Sequence, residues 1–151
     1  MNQRILEGIK VLDLTNVLSG PFTTLHLALL GAEVIKVENP KDGDLARKLG
    51  ILPELNKRLM GTSFIAQNCN KKSITLNTKS AEGKAILLRM AKDADVVVEN
   101  FRPGVMDRLG LGYKVLAEAN PGLVYCAISG FGQTGPDALN PAYDQIIQGL
   151  S

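Results

Sequence analysis

Cysteine, histidine and aromatic residues are all scarce in this 151-residue sequence. Its two cysteines, Cys69 and Cys126, lie far apart and form no C-x-x-C pair, and His26 is the only histidine. This set offers too few ligands for a zinc site, so no metal is expected. It also offers no disulfide framework, which fits a protein of a reducing compartment.

A large excess of charge of either sign is missing as well. Lys and Arg number 17, Asp and Glu number 15, and the formal net charge is +2. That charge is too small for duplex nucleic acid, whose many phosphates must be neutralised. The absence of Trp leaves few stacking platforms for single strands. We therefore expect no nucleic-acid partner.

The N-terminal region lacks the long apolar run of a signal peptide. Charged residues recur from Arg4 to Asp13. The uncharged stretch that follows, residues 14–32, is broken by Asn16, Gly20 and Pro21, which favours strand, turn and helix over a membrane span. We expect a cytoplasmic protein that does not enter the membrane.

Apolar, β-branched runs alternate with helical patterns along the chain, in a composition typical of one globular domain. We predict strands at residues 9–15, 33–38, 73–77, 95–99 and 123–129, and helical segments at 21–30, 80–91 and 105–119. Residues 39–63 are predicted as loop and short helix. Pro21 is a good first residue and Gly31 a good C-terminal cap for the first helix, and Ser80 is predicted to cap the second. This alternation indicates an α/β domain, Rossmann-like, with a mainly parallel sheet and flanking helices.

Two features resemble parts of a dinucleotide-binding site without completing it. The pattern GFGQTG (130–135) matches G-x-G-x-x-G, but Pro136 follows at once, which predicts a loop rather than a phosphate-binding helix start. The first turn, residues 16–21, has a single glycine, although Glu38 ends the second strand where a ribose-binding acid would lie. NAD binding is disfavoured. An anion site at the first helix and a plain structural turn remain alternatives.

Polar and basic side chains collect near the ends of predicted strands. Asn100, Phe101 and Arg102 follow a buried strand, and open parallel sheets bind ligands at the carboxyl ends of their strands. Taken singly, the basic residues of these regions are better explained as solvated surface groups: Lys71, Lys72, Lys79, Arg102 and Arg108. His26 is predicted to pack within the first helix, and Asp144 to cap a last helix.

Several segments together resemble one known family. They are GIKVLDLT (8–15) with SGP (19–21), LGAEVIKVE (30–38), NCNKKSITLNTK (68–79), ADVVVENFRPGVMDRLGLGY (94–113), and AISGFGQTGP (127–136) with PAYD (141–144). The sequence resembles the class III CoA-transferases, a family that includes formyl-CoA and carnitine CoA-transferases and alpha-methylacyl-CoA racemases. The block VVENFRPGVMDRLG is the most specific match, and residues 45–63 match least.

The resemblance implies a fold, a reaction and a partner. Residues 1–151 would be the N-terminal, CoA-binding part of the large Rossmann-like domain of a longer protein that forms an interlocked homodimer. The reaction would move CoA from an acyl-CoA to a small carboxylic acid through an aspartyl-CoA thioester, with CoA as substrate and no permanently bound cofactor. The nucleophilic aspartate is expected beyond Ser151, so no catalytic residue is assigned, and Asp144 is not that nucleophile.

By the same resemblance, contacts to CoA are expected at particular positions. They are Leu18 and Ser19 near the thioester, Asn39 near the adenosine, Leu76, Asn77, Thr78, Lys79, Asn100, Phe101 and Arg102 along the nucleotide and pantetheine, Arg108 toward the phosphates, and Tyr143 and Asp144 near the pantetheine end.

Two departures from the family pattern bear on the activity. Leu18 stands where formyl-CoA transferases carry an amide, which puts a specificity for formate and oxalate in doubt, and Tyr143 stands where the racemases place a histidine base. A phenol is a poor substitute for an imidazole as a base, which favours a transferase over an acyl-CoA racemase. The last helical pattern, DQIIQGLS (144–151), stops without a cap. It predicts a chain truncated after Ser151 and leaves an inactive fragment as a further alternative.

Overall fold

The computed structural model describes residues 4–150, which form one five-stranded sheet with helices on both faces. The strands are β1 (Lys10–Asp13), β2 (Glu33–Glu38), β3 (Lys72–Thr75), β4 (Val96–Glu99) and β5 (Val124–Ala127). The helices are α1 (Ser19–Leu29), α2 (Pro53–Lys57), α3 (Thr62–Asn68), α4 (Ala81–Lys92), α5 (Val105–Arg108), α6 (Tyr113–Ala119) and α7 (Asp144–Leu150), and a 3-10 helix covers Leu45–Lys48.

The strands lie in the order β3-β2-β1-β4-β5, and every neighbouring pair is parallel. In the central strand, Leu12 is in register with Ile35 of β2 on one side and with Val97 of β4 on the other. The chain builds the sheet outward from β1 to β3 and then crosses back to place β4 on the other side of β1. The predicted Rossmann-like α/β fold is confirmed, and a topological switch point lies between β1 and β4.

Successive residues of the central strands pack into two apolar layers, one on each face of the sheet. Leu12 and Leu87 belong to the layer formed with α4 and α6, whereas Val11 and Ala28 belong to the layer formed with α1. Because both faces are covered, β4 is a continuous apolar run up to Glu99.

Two predicted helix signals are confirmed, and one is displaced. Ser80 Oγ accepts a hydrogen bond from the backbone of the first turn of α4 (3.1 Å), and Gly31 follows α1 with a φ of 111°. Helix α1 begins at Ser19, earlier than predicted, because Phe22 N already donates to Leu18 O (2.8 Å). Pro21 is therefore inside the first turn rather than at its start.

Other differences concern strand length and one side chain. β1 ends at Asp13, earlier than predicted, because its carboxylate accepts a hydrogen bond from Thr15 N (2.9 Å) and the chain turns out of the sheet. Residues 39–63 contain the expected short helices, but α3 is not predicted by the sequence pattern. The prediction that His26 is packed is wrong. Its side chain is exposed on α1, with its ring edge-to-face against Phe22 at 4.4 Å.

Candidate functional site

The residues predicted to form a site all lie in segments that follow the carboxyl ends of the five strands. Because every pairing is parallel, these ends form one edge of the sheet. Neighbouring strands lie about 4.8 Å apart, so the edge is about 19 Å long. We call it the carboxyl edge. It is long enough to hold an extended ligand across several loops.

At the switch point, Asn100 joins two of these loops. Its Oδ1 accepts a hydrogen bond from Asn16 N and its Nδ2 donates to Asn16 O, both at 2.8 Å. The Nδ2 also lies 3.4 Å from Ser19 Oγ. The structure thus brings the predicted residues Ser19 and Asn100 together, beside Leu18, which is 46% exposed.

Beyond β2, the predicted residue Asn39 is exposed, and its Oδ1 accepts a hydrogen bond from Lys41 N (2.9 Å). Glu38 is not available to a ribose. Arg47 Nε donates to its Oε2 (2.6 Å) and Arg47 Nη2 to its Oε1 (2.7 Å), and Ser73 Oγ also donates to Oε1 (2.7 Å). The alternative of a ribose-binding acid at this position is therefore wrong, because the carboxylate is already engaged within the protein.

Protonation of Glu38 is expected to destabilise the fold in acid. Burial opposes its ionisation, but hydrogen bonds from Arg47, Ser73 and the Asp44 backbone, together with the Arg47 charge, lower its pKa from 4.5 to about 2. The unfolded chain binds this proton more tightly than the folded chain. The contribution of Glu38, roughly 3 kcal/mol, is therefore present above the unfolded pKa and is lost as the pH falls toward the folded one.

Urea unfolding measured from neutral pH down to about pH 3 tests this expectation. A Glu38→Gln variant serves as the control, because its neutral amide has no carboxylate to protonate. The free energy of unfolding of this variant should fall less steeply as the pH is lowered. Equal pH dependence in both proteins would contradict the role of Glu38.

The loop between β3 and α4 carries four further predicted residues. Leu76 packs partly against the core, and its backbone N donates to Glu38 O (2.8 Å). Asn77 Oδ1 accepts from Lys79 N (3.1 Å), and the Lys79 side chain is exposed. Thr78 lies between them, partly buried. This loop presents Lys79 at the carboxyl edge, two strands away from β1.

Beyond β4, two predicted arginines lie beside the same turn. Arg102 and Arg108 are both exposed. A Cβ built on Gly104 would lie 3.1 Å from Arg108 Nη1, which places the Arg108 guanidinium over this turn. Gly104 has a φ of 77°, a left-handed conformation that glycine adopts without strain, and it immediately precedes α5, which carries Arg108.

A cleft of about 400 Å³ opens between the ends of β4 and β5. It is lined by Glu99, Arg102, Gly104, Met106, Asp107, Tyr113, Tyr125, Ala127 and Gln133. Glu99 accepts hydrogen bonds from Phe101 N (2.7 Å) and Tyr125 Oη (3.1 Å). Burial raises the pKa of Glu99, and burial with the nearby Glu99 charge raises the pKa of Tyr125. This pair was not predicted from the sequence, although a carboxylate that ends an apolar strand is a usable signal.

Tyr143 and Asp144 lie at the far end of the site segments. Tyr143 is 70% exposed, and Asp144 is the first residue of α7, where its Oδ2 accepts from Gln148 Nε2 (2.6 Å). Asp144 is therefore inside the helix rather than its cap. A Cβ on Gly130 would lie 2.1 Å from Ala142 Cβ, so the chain just before Tyr143 packs against the segment that follows β5. The pattern at 130–135 forms a loop, as predicted.

Two buried ammonium–carboxylate pairs lie beneath the carboxyl edge. Lys36 Nζ is 2.9 Å from Asp44 Oδ2, and Lys71 Nζ is 3.0 Å from Asp13 Oδ2, with no side chain of the four more than 1% exposed. Burial lowers the pKa of Lys71, and the Asp13 charge opposes that shift. The interpretation of Lys71 as a solvated surface group is therefore wrong. The first pair was not predicted, although a lysine inside the apolar run of β2 is a signal that could have indicated it.

The exposed groups of the carboxyl edge suit an anionic ligand. Lys79, Arg102 and Arg108 supply cations on two loops, and arginine can bind phosphate oxygens with two parallel hydrogen bonds. Within residues 4–150, no group of three His, Cys, Asp or Glu side chains is placed to hold a metal ion. In the same part of the chain, no helix is both long and apolar enough to cross a membrane.

Sequence comparison extends this picture. Residues 6–151 match CoA-transferase family III. The chain is 52% identical over 145 residues to an acetyl-CoA:oxalate CoA-transferase of Acetobacter aceti, which covers 96% of this chain and 36% of the relative. It is 45% identical over 150 residues to the succinyl-CoA:glutarate CoA-transferase of Homo sapiens. That match covers 99% of this chain and 34% of the human protein. The chain thus spans about a third of the length of these curated relatives.

A solved structure agrees with this assignment. A CAIB/BAIF family protein of Brucella suis is 40% identical, superposes with a TM-score of 0.88, and covers 99% of this chain and 39% of its own length. Sequence, sheet topology and structural similarity lead to the same result. The chain belongs to CoA-transferase family III.

Proposed function

We propose that this chain is the CoA-binding portion of an acyl-CoA:carboxylate CoA-transferase. The observation that carries the proposal is the identity of 52% and 45% to proteins named as CoA-transferases for oxalate and glutarate, over 96% and 99% of this chain. The positions matched to CoA contacts also follow the strand ends along one edge, which supports a single extended binding site.

The proposed ligand runs along the loops of the carboxyl edge. The thioester lies at the β1–α1 loop, beside Leu18 and Ser19, and Asn100 fixes that loop by its two hydrogen bonds to Asn16. The adenosine lies after β2, near Asn39. The nucleotide and pantetheine lie at the loops after β3 and β4, near residues 76–79 and 100–102, with Arg108 toward the phosphates. Tyr143 and Asp144 lie toward the pantetheine end. The exposed cations favour the phosphates by charge and by hydrogen-bond geometry.

The proposed chemistry is covalent. An aspartate of the complete protein, expected beyond Ser151, attacks the thioester carbonyl, and CoA leaves as a thiolate while a mixed anhydride forms. The thiolate then attacks the aspartyl carbonyl, which releases the donor acid and leaves an aspartyl-CoA thioester. The acceptor carboxylate attacks that thioester, and the same two steps in reverse produce the new acyl-CoA and free the aspartate. Residues of this chain bind and orient CoA, and backbone amides hold the oxyanions.

The substrates, the oligomeric state and the compartment of the complete enzyme are also part of the proposal. CoA and acyl-CoA are substrates rather than bound cofactors, and the second substrate is a small carboxylic acid. The complete protein acts as an interlocked homodimer in the cytoplasm. Light scattering of the purified complete protein measures the oligomeric state directly, and a monomeric enzyme would contradict this part of the proposal.

The test uses the product of the complete reading frame that contains this chain. Calorimetry with CoA measures binding, and mass spectrometry measures exchange of CoA from acetyl-CoA, formyl-CoA or succinyl-CoA onto oxalate or glutarate. Binding with exchange supports the proposal, and no binding at millimolar CoA overturns it. Exchange of the α-proton of a 2-methylacyl-CoA for deuterium, without any acceptor acid, would instead support the racemase alternative. Binding without either reaction would support an inactive fragment.

Replacement of Arg102 or Arg108 by Ala is expected to raise the KM for acyl-CoA about tenfold, because each loses charge-assisted hydrogen bonds to phosphate. Arg89→Ala is a matched control. Arg89 lies in the last turn of α4, which runs from the carboxyl edge to the opposite edge of the sheet, so its KM should not change. Steady-state kinetics of the complete protein gives the comparison. An unchanged KM in both single variants would indicate that these arginines are solvated surface groups that do not bind CoA.

A further inference from the structure

The loop between β1 and α1 holds an unfavourable backbone conformation at the proposed thioester position. Val17 has a φ of 69°, in the left-handed region that a β-branched residue rarely adopts. On one side Asn16 is fixed by Asn100, and on the other Leu18 is 46% exposed at the carboxyl edge. Such a conformation persists only when surrounding contacts impose it.

Beside the Asn100 contacts, the Lys36–Asp44 pair supplies two hydrogen bonds that help to impose it. Lys36 Nζ donates to Thr15 O (2.8 Å), and Val17 N donates to Asp44 Oδ1 (3.0 Å). The same two side chains form the ion pair of 2.9 Å, so one buried unit holds the backbone on both sides of Asn16. Asp44 is fixed in turn, because its backbone N donates to Glu38 Oε2 (2.9 Å).

Lys71, the cation of the second buried pair, has different hydrogen-bond partners, and its carboxylate Asp13 accepts a hydrogen bond from Thr15 N (2.9 Å). Lys71 Nζ donates to Pro21 O, Thr24 Oγ1 and Asn68 Oδ1, each at 2.8 Å, and so ties α1 to the end of α3. Both lysine side chains are 1% exposed and both pair with a carboxylate that is 0% exposed. Lys71 therefore matches Lys36 in burial and pairing, while its own hydrogen bonds go to α1 and Asn68 rather than to residues 15–18. Replacing Lys71 leaves the Asp13 acceptor for Thr15 N in place.

We infer that Lys36 and Asp44 are positioning residues that hold the β1–α1 loop, residues 15–18, in the geometry that receives the acyl-CoA thioester. The inference rests on the proposed function for its ligand. A buried ion pair contributes little net stability compared with apolar residues of similar volume, so positioning explains this pair better than stability does. The pair acts through the loop and does not itself touch the substrate.

The test compares variants of the complete protein. Asp44→Ala removes the acceptor for Val17 N, whereas Asp44→Asn keeps an oxygen at that position. Asp44→Ala is expected to raise the KM for acyl-CoA about tenfold and to speed deuterium exchange of the Val17 amide, because a loosened loop no longer orients its ligand. Asp44→Asn is expected to restore much of both. Lys71→Met is expected to lower the melting temperature without changing the KM.

A second variant protects the test against misfolding. In Lys36→Met/Asp44→Leu no buried charge is left unpaired, so the fold should persist while the loop contacts are lost. This variant is expected to show the same rise in KM and the same faster exchange at Val17. Mass spectrometry with electron-transfer fragmentation resolves the exchange of that single amide.

The outcomes separate the inference from the proposed function. Equal effects of Asp44→Ala and Lys71→Met on KM would show that the pair is merely structural, and unchanged Val17 exchange in the double variant would overturn the positioning role. Failure of the unmodified protein to bind acyl-CoA would contradict the proposed function instead. The exchange of Val17 would then still decide whether the pair holds the loop.

Discussion

A Gly83→Ala variant is expected to be less stable by about 2 kcal/mol or more, although alanine favours a helix over glycine by about 1 kcal/mol. Gly83 lies in the first turn of α4, and a Cβ there would lie 1.9 Å from Asn77 O and 2.6 Å from Asn77 C. These are backbone atoms. Either the start of α4 or the loop after β3 must move. The cost of this clash exceeds the gain in helix preference, so the change in stability is expected to be a loss.

The same clash is expected to reach the proposed ligand site. The loop after β3 is fixed by Leu76 N, which donates to Glu38 O (2.8 Å), and by Ser80 N, which donates to Asn77 O (3.1 Å). Displacement of Asn77 therefore displaces residues 76–79, which are matched to the nucleotide of CoA. The KM for acyl-CoA of the complete protein should rise together with the loss of stability.

Gly149→Ala is the matched control, because Gly149 is also helical and a Cβ there meets no atom within 4 Å. This variant should be neutral or more stable by up to about 1 kcal/mol. Urea unfolding of both variants gives the comparison. A Gly83→Ala protein as stable as Gly149→Ala would contradict the close approach of Asn77 to α4.

The fold was predictable because its signals are local. β2 has the predicted bounds, Glu33–Glu38, since a β-branched run is bounded there by Gly31 and by Asn39 with the following proline. The alternation of such runs with helices is enough to imply a parallel sheet. α3 was not predicted because the residue at its N-terminal cap is Gly61, which has no side chain to signal the start of a helix.

The location of the candidate site could be predicted from the sequence, but the buried ion pairs beneath it could not. Parallel strands place all the matched loops on one edge, which is why Asn100 and Ser19 meet across the switch point. The buried pairs depend on tertiary contacts instead. Asp13 and Lys71 are 58 residues apart in sequence, and nothing local distinguishes Lys71, which is buried, from its neighbour Lys72, which is exposed and paired with Glu33.

The 151-residue chain by itself is expected to show no transferase or racemase activity. By resemblance to the family, the nucleophilic aspartate is expected beyond Ser151. The buried Asp13 and Asp44 cannot replace it, since both carboxylates are paired with lysines and are 0% exposed. Loss of a covalent nucleophile leaves only binding and oxyanion contributions, which cannot complete a reaction that passes through an enzyme-bound thioester.

Trapping measures this directly. The chain is incubated with acyl-CoA and a panel of carboxylates, hydroxylamine is added, and mass spectrometry is used to detect a CoA adduct or a hydroxamate on the protein. None is expected, whereas the product of the complete reading frame, treated in parallel, should give one. An adduct on the 151-residue chain would show that the nucleophile lies within these 151 residues and would contradict its expected place beyond Ser151.

The isolated chain is also expected to associate. Ile146, Ile147 and Leu150 of α7 are 41%, 36% and 69% exposed, and Ile51 is 89% exposed. In relatives about three times as long, further chain is available to cover such surfaces, and apolar area left in water favours self-association. Size exclusion at increasing concentration should therefore show oligomers or aggregates, and Ile146→Ser/Leu150→Ser should shift the chain toward monomer. A compact monomer of the unmodified chain that exchanges CoA between acids would overturn both expectations, because it would need neither an aspartate beyond Ser151 nor further chain packed on α7.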